Sequence, residues 1–135
     1  MSQSAGTATN TATMSKLDEK EIAAVLEIVR ECEEAVTHCA SVVFDSTDPT
    51  EYMSEVRHDF NCADVLATTR RVLARRDGSD DHLVTAQLEA CLIACQISND
   101  LCSPHAEEYP KAMTCTTATA RGIQMCQDLL HRIKA

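Results

Sequence analysis

Residues 89–115 read EACLIACQISNDLCSPHAEEYPKAMTC, and they place four cysteines and one histidine in a single stretch. Cys91, Cys95 and Cys102 fall into a longer series, Val84, Leu88, Cys91, Cys95, Ser98 and Cys102, whose steps alternate between four and three. That spacing puts all six side chains on one face of a helix, in the manner of the inward seam of a packed bundle. SPH at 103–105 breaks the helix, and another follows from about Ala106 to Ile133, with Pro110 in its first turns or displacing its start. The stretch therefore reads as the end of one helix, a turn, and the start of the next.

The same pattern extends outward in both directions. Val25, Val29, Cys32, Val36, Cys39 and Val43 make an alternating seam on a helix expected to run to about Phe44, with Ser15 as a candidate N-cap and Asp18 and Glu19 in its first turn. DSTDP ends it. Asp48 and Pro49 fit the N-cap and first position of a second helix reaching about Arg76, with a less regular seam of His58, Cys62, Val65, Thr69 and Leu73. DGSD is a turn, and Asp80 or Asp81 is expected to cap the third helix. The fourth carries Ala112, Cys115, Thr119, Gly122, Cys126, Leu129 and Ile133. Four helices with short connections predict an antiparallel four-helix bundle over 15–135, with 1–14, rich in Ser, Thr and Ala, as a disordered tail.

Composition agrees with an all-α fold. The chain has 135 residues, 3% aromatics, three glycines and no tryptophan. A chain of this length can bury a sizeable core without disulfide staples. Its net charge of −9 disfavours nucleic acid and anionic membrane surfaces as partners. The N-terminus lacks the basic and apolar regions of a secretory signal, and no run approaches the ~18 apolar residues of a membrane span. These features predict a cytoplasmic protein, where thiols are reduced or bind metal.

All eight cysteines fall on the expected inward seams. Three readings follow from the residues alone. Thiols serve as small buried hydrophobes. They form cross-helix disulfides, although Cys32 and Cys39, or Cys95 and Cys102, lie ~10 Å apart along a helix and cannot bond within it. Or they hold a soft metal: Cys91 and Cys95 at i and i+4 lie side by side, and thiolate selects Cu(I), while also suiting zinc. Zinc-finger and ferredoxin spacings are absent from the sequence. His105, three residues after Cys102, is a candidate ligand at the bundle mouth. His58 shares a face with Cys62. Met113 and Met125 are expected to fill the core. No catalytic triad, phosphate loop or di-iron motif supports an enzyme.

NCADVL (61–66), ACLIACQISNDLCSPHAEEY (90–109) and CTTATARGIQMC (115–126) resemble the cysteine-rich four-helix-bundle copper storage proteins. That family shows CADxC on one helix, CxxCxxxCxxCxxxCxxHA on the next and CxxCxxxCxxCxxxC on the last. Cys62, then Cys91, Cys95 and Cys102 followed by His105, then Cys115 and Cys126, occupy matching positions. Leu66, Leu88, Ser98, Ala112, Thr119 and Gly122 stand where the pattern has cysteine. The resemblance implies a non-enzymatic protein storing or buffering Cu(I), with fewer ions than a fully thiol-lined relative or one compact cluster, assembled as a homo-tetramer. The expected ligands are Cys32, Cys39, Cys62, Cys91, Cys95, Cys102, Cys115, Cys126 and His105. The alternatives are zinc or no metal, in a thiol-redox or purely structural bundle.

Overall fold

A computed structural model describes residues 17–44 and 53–134. Four α-helices make up the fold: α1 (Glu19–Phe44), α2 (Met53–Arg75), α3 (Asp81–Cys102) and α4 (Pro110–Lys134). Among the described residues there is no strand. A short 3₁₀ turn, Ser103–His105, joins α3 towards α4.

The helix ends follow local chemistry. Asp18 Oδ1 accepts the Glu21 N–H at 2.7 Å, so Asp18 caps α1 and the helix begins at Glu19. The expected cap Ser15 lies outside the described residues, as do Asp48, Pro49 and the tail 1–14. Between α2 and α3, Gly78 takes φ 90, a left-handed conformation that glycine adopts without Cβ strain. Asp77 Oδ1 accepts both the backbone N–H and the hydroxyl of Ser79 there, at 2.9 and 2.6 Å. Asp80 occupies the cap position of α3 but makes no side-chain cap bond, because its φ −114, ψ 30 departs from the extended cap geometry. Helix α4 starts at Pro110 rather than near Ala106: the proline lacks an N–H and is stable at a first helical position.

Each helix packs on its two sequence neighbours, and α1 closes the square against α4. Cross-helix pairs fix the antiparallel register. Arg121 bonds Glu31 and Arg132 bonds Glu21 between α4 and α1, at 2.7 and 3.1 Å. Gln87 reaches Thr69 between α3 and α2 at 2.9 Å, and Asn99 reaches Thr119 between α3 and α4 at 3.0 Å.

The core has two halves. Towards the α2–α3 turn it is mostly hydrocarbon: Ile22, Leu73, Val84, Leu88 and Leu129 are buried there. The thiols occupy the other half, towards the α3–α4 connection. Burying a leucine or valine side chain is worth about 1.5–3 kcal/mol. The hydrocarbon half therefore holds the bundle together independently of what the thiols do.

Candidate metal centre

The inward seams of α3 and α4 are as the spacing predicts. Val84, Leu88, Cys91, Cys95, Ser98 and Cys102 are all buried, as are Ala112, Cys115, Thr119, Gly122, Cys126 and Leu129, with Ile133 partly so. On α1, Val29, Cys32 and Val36 are fully buried, whereas Val25 and Cys39 are half-buried. Ile22, Ala35 and Ala40 complete that face, and the side chain of Val43 lies outside the described residues. Helix α2 departs from expectation. Its buried residues are Val56, Asp59, Cys62, Leu66, Thr69 and Leu73, so Asp59 and Leu66 replace His58 and Val65 in the core.

Seven of the eight cysteines are buried, Cys39 is intermediate, and all are free thiols. They meet across helices. Cys32 Sγ lies 3.9 Å from Cys95 Sγ. Thiol-to-thiol interactions extend from this pair to Cys62, and from Cys95 through Cys91 to Cys126. A second group joins Cys102, Cys115 and Cys39. The i, i+4 neighbours Cys91 and Cys95 do interact, as their spacing predicts.

The protons within each group are shared unequally. Hydrogen bonds from Cys32 and then Cys95 draw the Cys62 thiol below the ordinary range, and those from Cys126 and Cys95 do the same for Cys91. The donors move the other way: Cys95 is raised chiefly by Cys32, Cys32 chiefly by Cys62, and Cys126 chiefly by Cys91. Cys102 is lowered to about 7, first by Cys115; burial opposes this, and the Thr116 hydroxyl assists. That hydroxyl lies 3.3 Å from Cys102 Sγ. A first thiolate in each group is thus stabilised by neighbouring S–H groups, and further ones repel it. A cation that displaces the remaining protons relieves this repulsion.

Asp59 is the residue that sequence spacing missed. It is 2% exposed, and its Oδ1 accepts the Ser98 hydroxyl at 3.1 Å. Burial pushes its carboxyl up to about 7, against the lowering effect of Ser98. The only sequence signal was an acid one residue from the expected seam.

His105 sits at the α3–α4 end, about one-third exposed, with Nε2 3.8 Å from Glu55 Oε1 and Nδ1 3.4 Å from Glu108 Oε2. Carboxylates thus flank the histidine nitrogens at the mouth. Met125 is buried as expected, but Met113 is 46% exposed, because it lies one residue beyond the Ala112 position on α4. Among the described residues, no three His, Cys, Asp or Glu side chains are already gathered around one point in a way that could hold a metal ion. The preformed arrangement is one of sulfur pairs.

A sequence model of the copper storage proteins matches residues 18–131. Comparison with curated proteins yields no match. Among solved structures, the copper storage protein Ccsp of Streptomyces lividans loaded with ten copper equivalents is 30% identical, with TM-score 0.80, over 87% of this chain and 89% of that one. A variant of the same protein with a histidine replaced by alanine is 31% identical over 87% of this chain and 98% of its own, also at TM-score 0.80. A third structure, a cytosolic copper storage protein from that organism with five coppers, is 29% identical, with TM-score 0.75, over 90% and 95% of the two chains. With the four-helix architecture, the thiol-lined core and a family match spanning 18–131, this chain belongs to the copper storage protein family.

Proposed function

We propose that the chain takes up Cu(I) as cargo between pairs of core thiolates and holds it in store, with no catalytic role. The observation that carries this reading is the Cys32–Cys95 pair, two fully buried sulfurs 3.9 Å apart on different helices. Metal–thiolate bonds of about 2.3 Å, as in zinc sites, bring both within reach of one ion. Thiolate is the soft donor that selects Cu(I). Zinc asks for four ligands around one point, and among the described residues not even three gather. The proposed ligands are the eight cysteines, with His105 at the mouth as a first contact for incoming ions. The chemistry of storage is then a proton exchange: each arriving ion displaces thiol protons that the crowded core holds unevenly.

The cytosol is the proposed compartment, in keeping with the cytosolic relative. The fold also favours a homo-oligomer, proposed as a tetramer. Leu83, Ile93 and Ile97 are 57, 56 and 37% exposed on the outer side of α3, with the small exposed Ala86 and Ala90 between them. They form a second apolar stripe with the same alternating steps, on a helix whose other face is already buried.

The test is a competition titration of reduced protein against a cuprous chelator, beside a thermal melt. Replacing Cys91 and Cys95 together by serine is expected to lower Cu(I) uptake while the hydrocarbon half keeps the chain helical. A folded double variant that competes as well as the parent would overturn the proposal.

A further inference from the structure

The thiols are not one continuous line. Between Cys32 and Cys39 on α1, the fully buried residue is Val36. At the same level α2 contributes Asp59, α3 Ser98 and α4 Thr119. These four side chains, one from each helix, form a buried layer without sulfur. On one side lie Cys32, Cys62, Cys91, Cys95 and Cys126; on the other lie Cys39, Cys102 and Cys115.

The layer is a poor bridge for a soft cation. Val36 has no donor. Thr119 Oγ1 accepts from Asn99 Nδ2 at 3.0 Å and donates to the Cys115 carbonyl at 2.7 Å. The Ser98 hydroxyl is committed to Asp59. Asp59 offers a hard oxygen, which soft cuprous ions do not favour. Along α3, Cys95 and Cys102 are ~10 Å apart at 1.5 Å per residue, while one ion joins sulfurs only about 4.6 Å apart at two bonds of 2.3 Å.

We propose that this sulfur-free layer divides the copper store into two separate pools: an inner one of Cys32, Cys62, Cys91, Cys95 and Cys126, and an outer one of Cys39, Cys102 and Cys115. The inference rests on the Cu(I) reading above. The outer pool lies beside the half-buried Cys39 and the mouth at His105, and exchanges ions readily. The inner pool is enclosed between the layer and the hydrocarbon half formed by Leu66, Leu88 and Leu129, and exchanges slowly. Two of the four layer positions, Ser98 and Thr119, are ones where cysteine would join the pools.

The experiment loads reduced protein with Cu(I), adds excess cuprous chelator, and follows release with time, counting bound ions by native mass spectrometry. The parent is expected to release copper in two phases. A variant with Cys39, Cys102 and Cys115 changed to alanine is expected to lose the fast phase and keep the full number of slowly released ions. S98C with T119C is expected to merge the phases into one. Single-phase release from the parent overturns the two-pool proposal, and so does loss of slow ions from the triple variant. Failure of the parent to bind any Cu(I) is a different result and overturns the storage reading itself. The parent measurement involves no substitution, so a variant that fails to fold does not remove the test.

Discussion

Gly122 lies in the middle of α4, where glycine costs a helix about 1 kcal/mol relative to alanine. Its position explains why that cost is tolerated. A Cβ there would lie 3.1 Å from Cys95 Sγ and 3.4 Å from Cys32 Sγ. Relaxed heavy-atom contacts sit near 3.5–4.0 Å, so both sulfurs must shift by a few tenths of an ångström. Each is fully buried and has no solvent to move into. Overpacking of this kind costs about 1–3 kcal/mol. Set against the ~1 kcal/mol of helix propensity, Gly122→Ala is expected to leave the metal-free protein between unchanged and about 2 kcal/mol less stable. It should also wedge apart the sulfur pair proposed to hold copper, weakening competition against a cuprous chelator. The assay is urea unfolding of the reduced protein, with the slope checked for constancy. Ala120→Gly, at an exposed position on the same helix, calibrates the propensity term. If Gly122→Ala stabilises by the full amount that Ala120→Gly loses, and copper affinity is unchanged, the close approach of α4 to the sulfur pair is wrong.

Leu88→Ala, in the hydrocarbon half, is expected to cost 2–5 kcal/mol in the same urea assay, with the copper count on the folded fraction unchanged. For Asp59→Asn the pH profile is decisive. The native carboxyl is raised to about 7 from an ordinary ~3.9, so the native state binds more protons between these values. Its contribution is fully present below about pH 4 and lost as pH rises through about 7; the variant should lack this decline, seen as a flatter urea midpoint from pH 4 to 7. Ile93→Lys with Ile97→Lys is expected to reduce the assembled mass seen by light scattering without loss of helical circular dichroism. Copper uptake should weaken as pH falls, because each ion must displace thiol protons; a chelator competition series that is flat with pH would count against thiolate ligation.

How much of this was legible in the sequence differs from helix to helix, for physical reasons. On α3 every buried position follows from the alternating steps, because Val84, Leu88, Cys91, Cys95, Ser98 and Cys102 form one unambiguous stripe. On α2 two neighbouring stripes share Cys62 and Thr69, and hydropathy favours neither. The choice of Asp59 and Leu66 over His58 and Val65 depends on other helices: Ser98 on α3 satisfies the buried carboxyl, a pairing 39 residues distant in sequence. The cysteine positions alone determined that the thiols belong to inward seams, since a 3.5-residue repeat leaves them little other face to occupy. Which sulfurs meet was decided by the antiparallel stagger, which brings Cys32 on α1 to Cys95 on α3 with Gly122 against both. The same stagger places Val36, Asp59, Ser98 and Thr119 at one level. A periodic pattern specifies the face of each helix but not the height of one helix against another, and that height is set only when the four faces pack together.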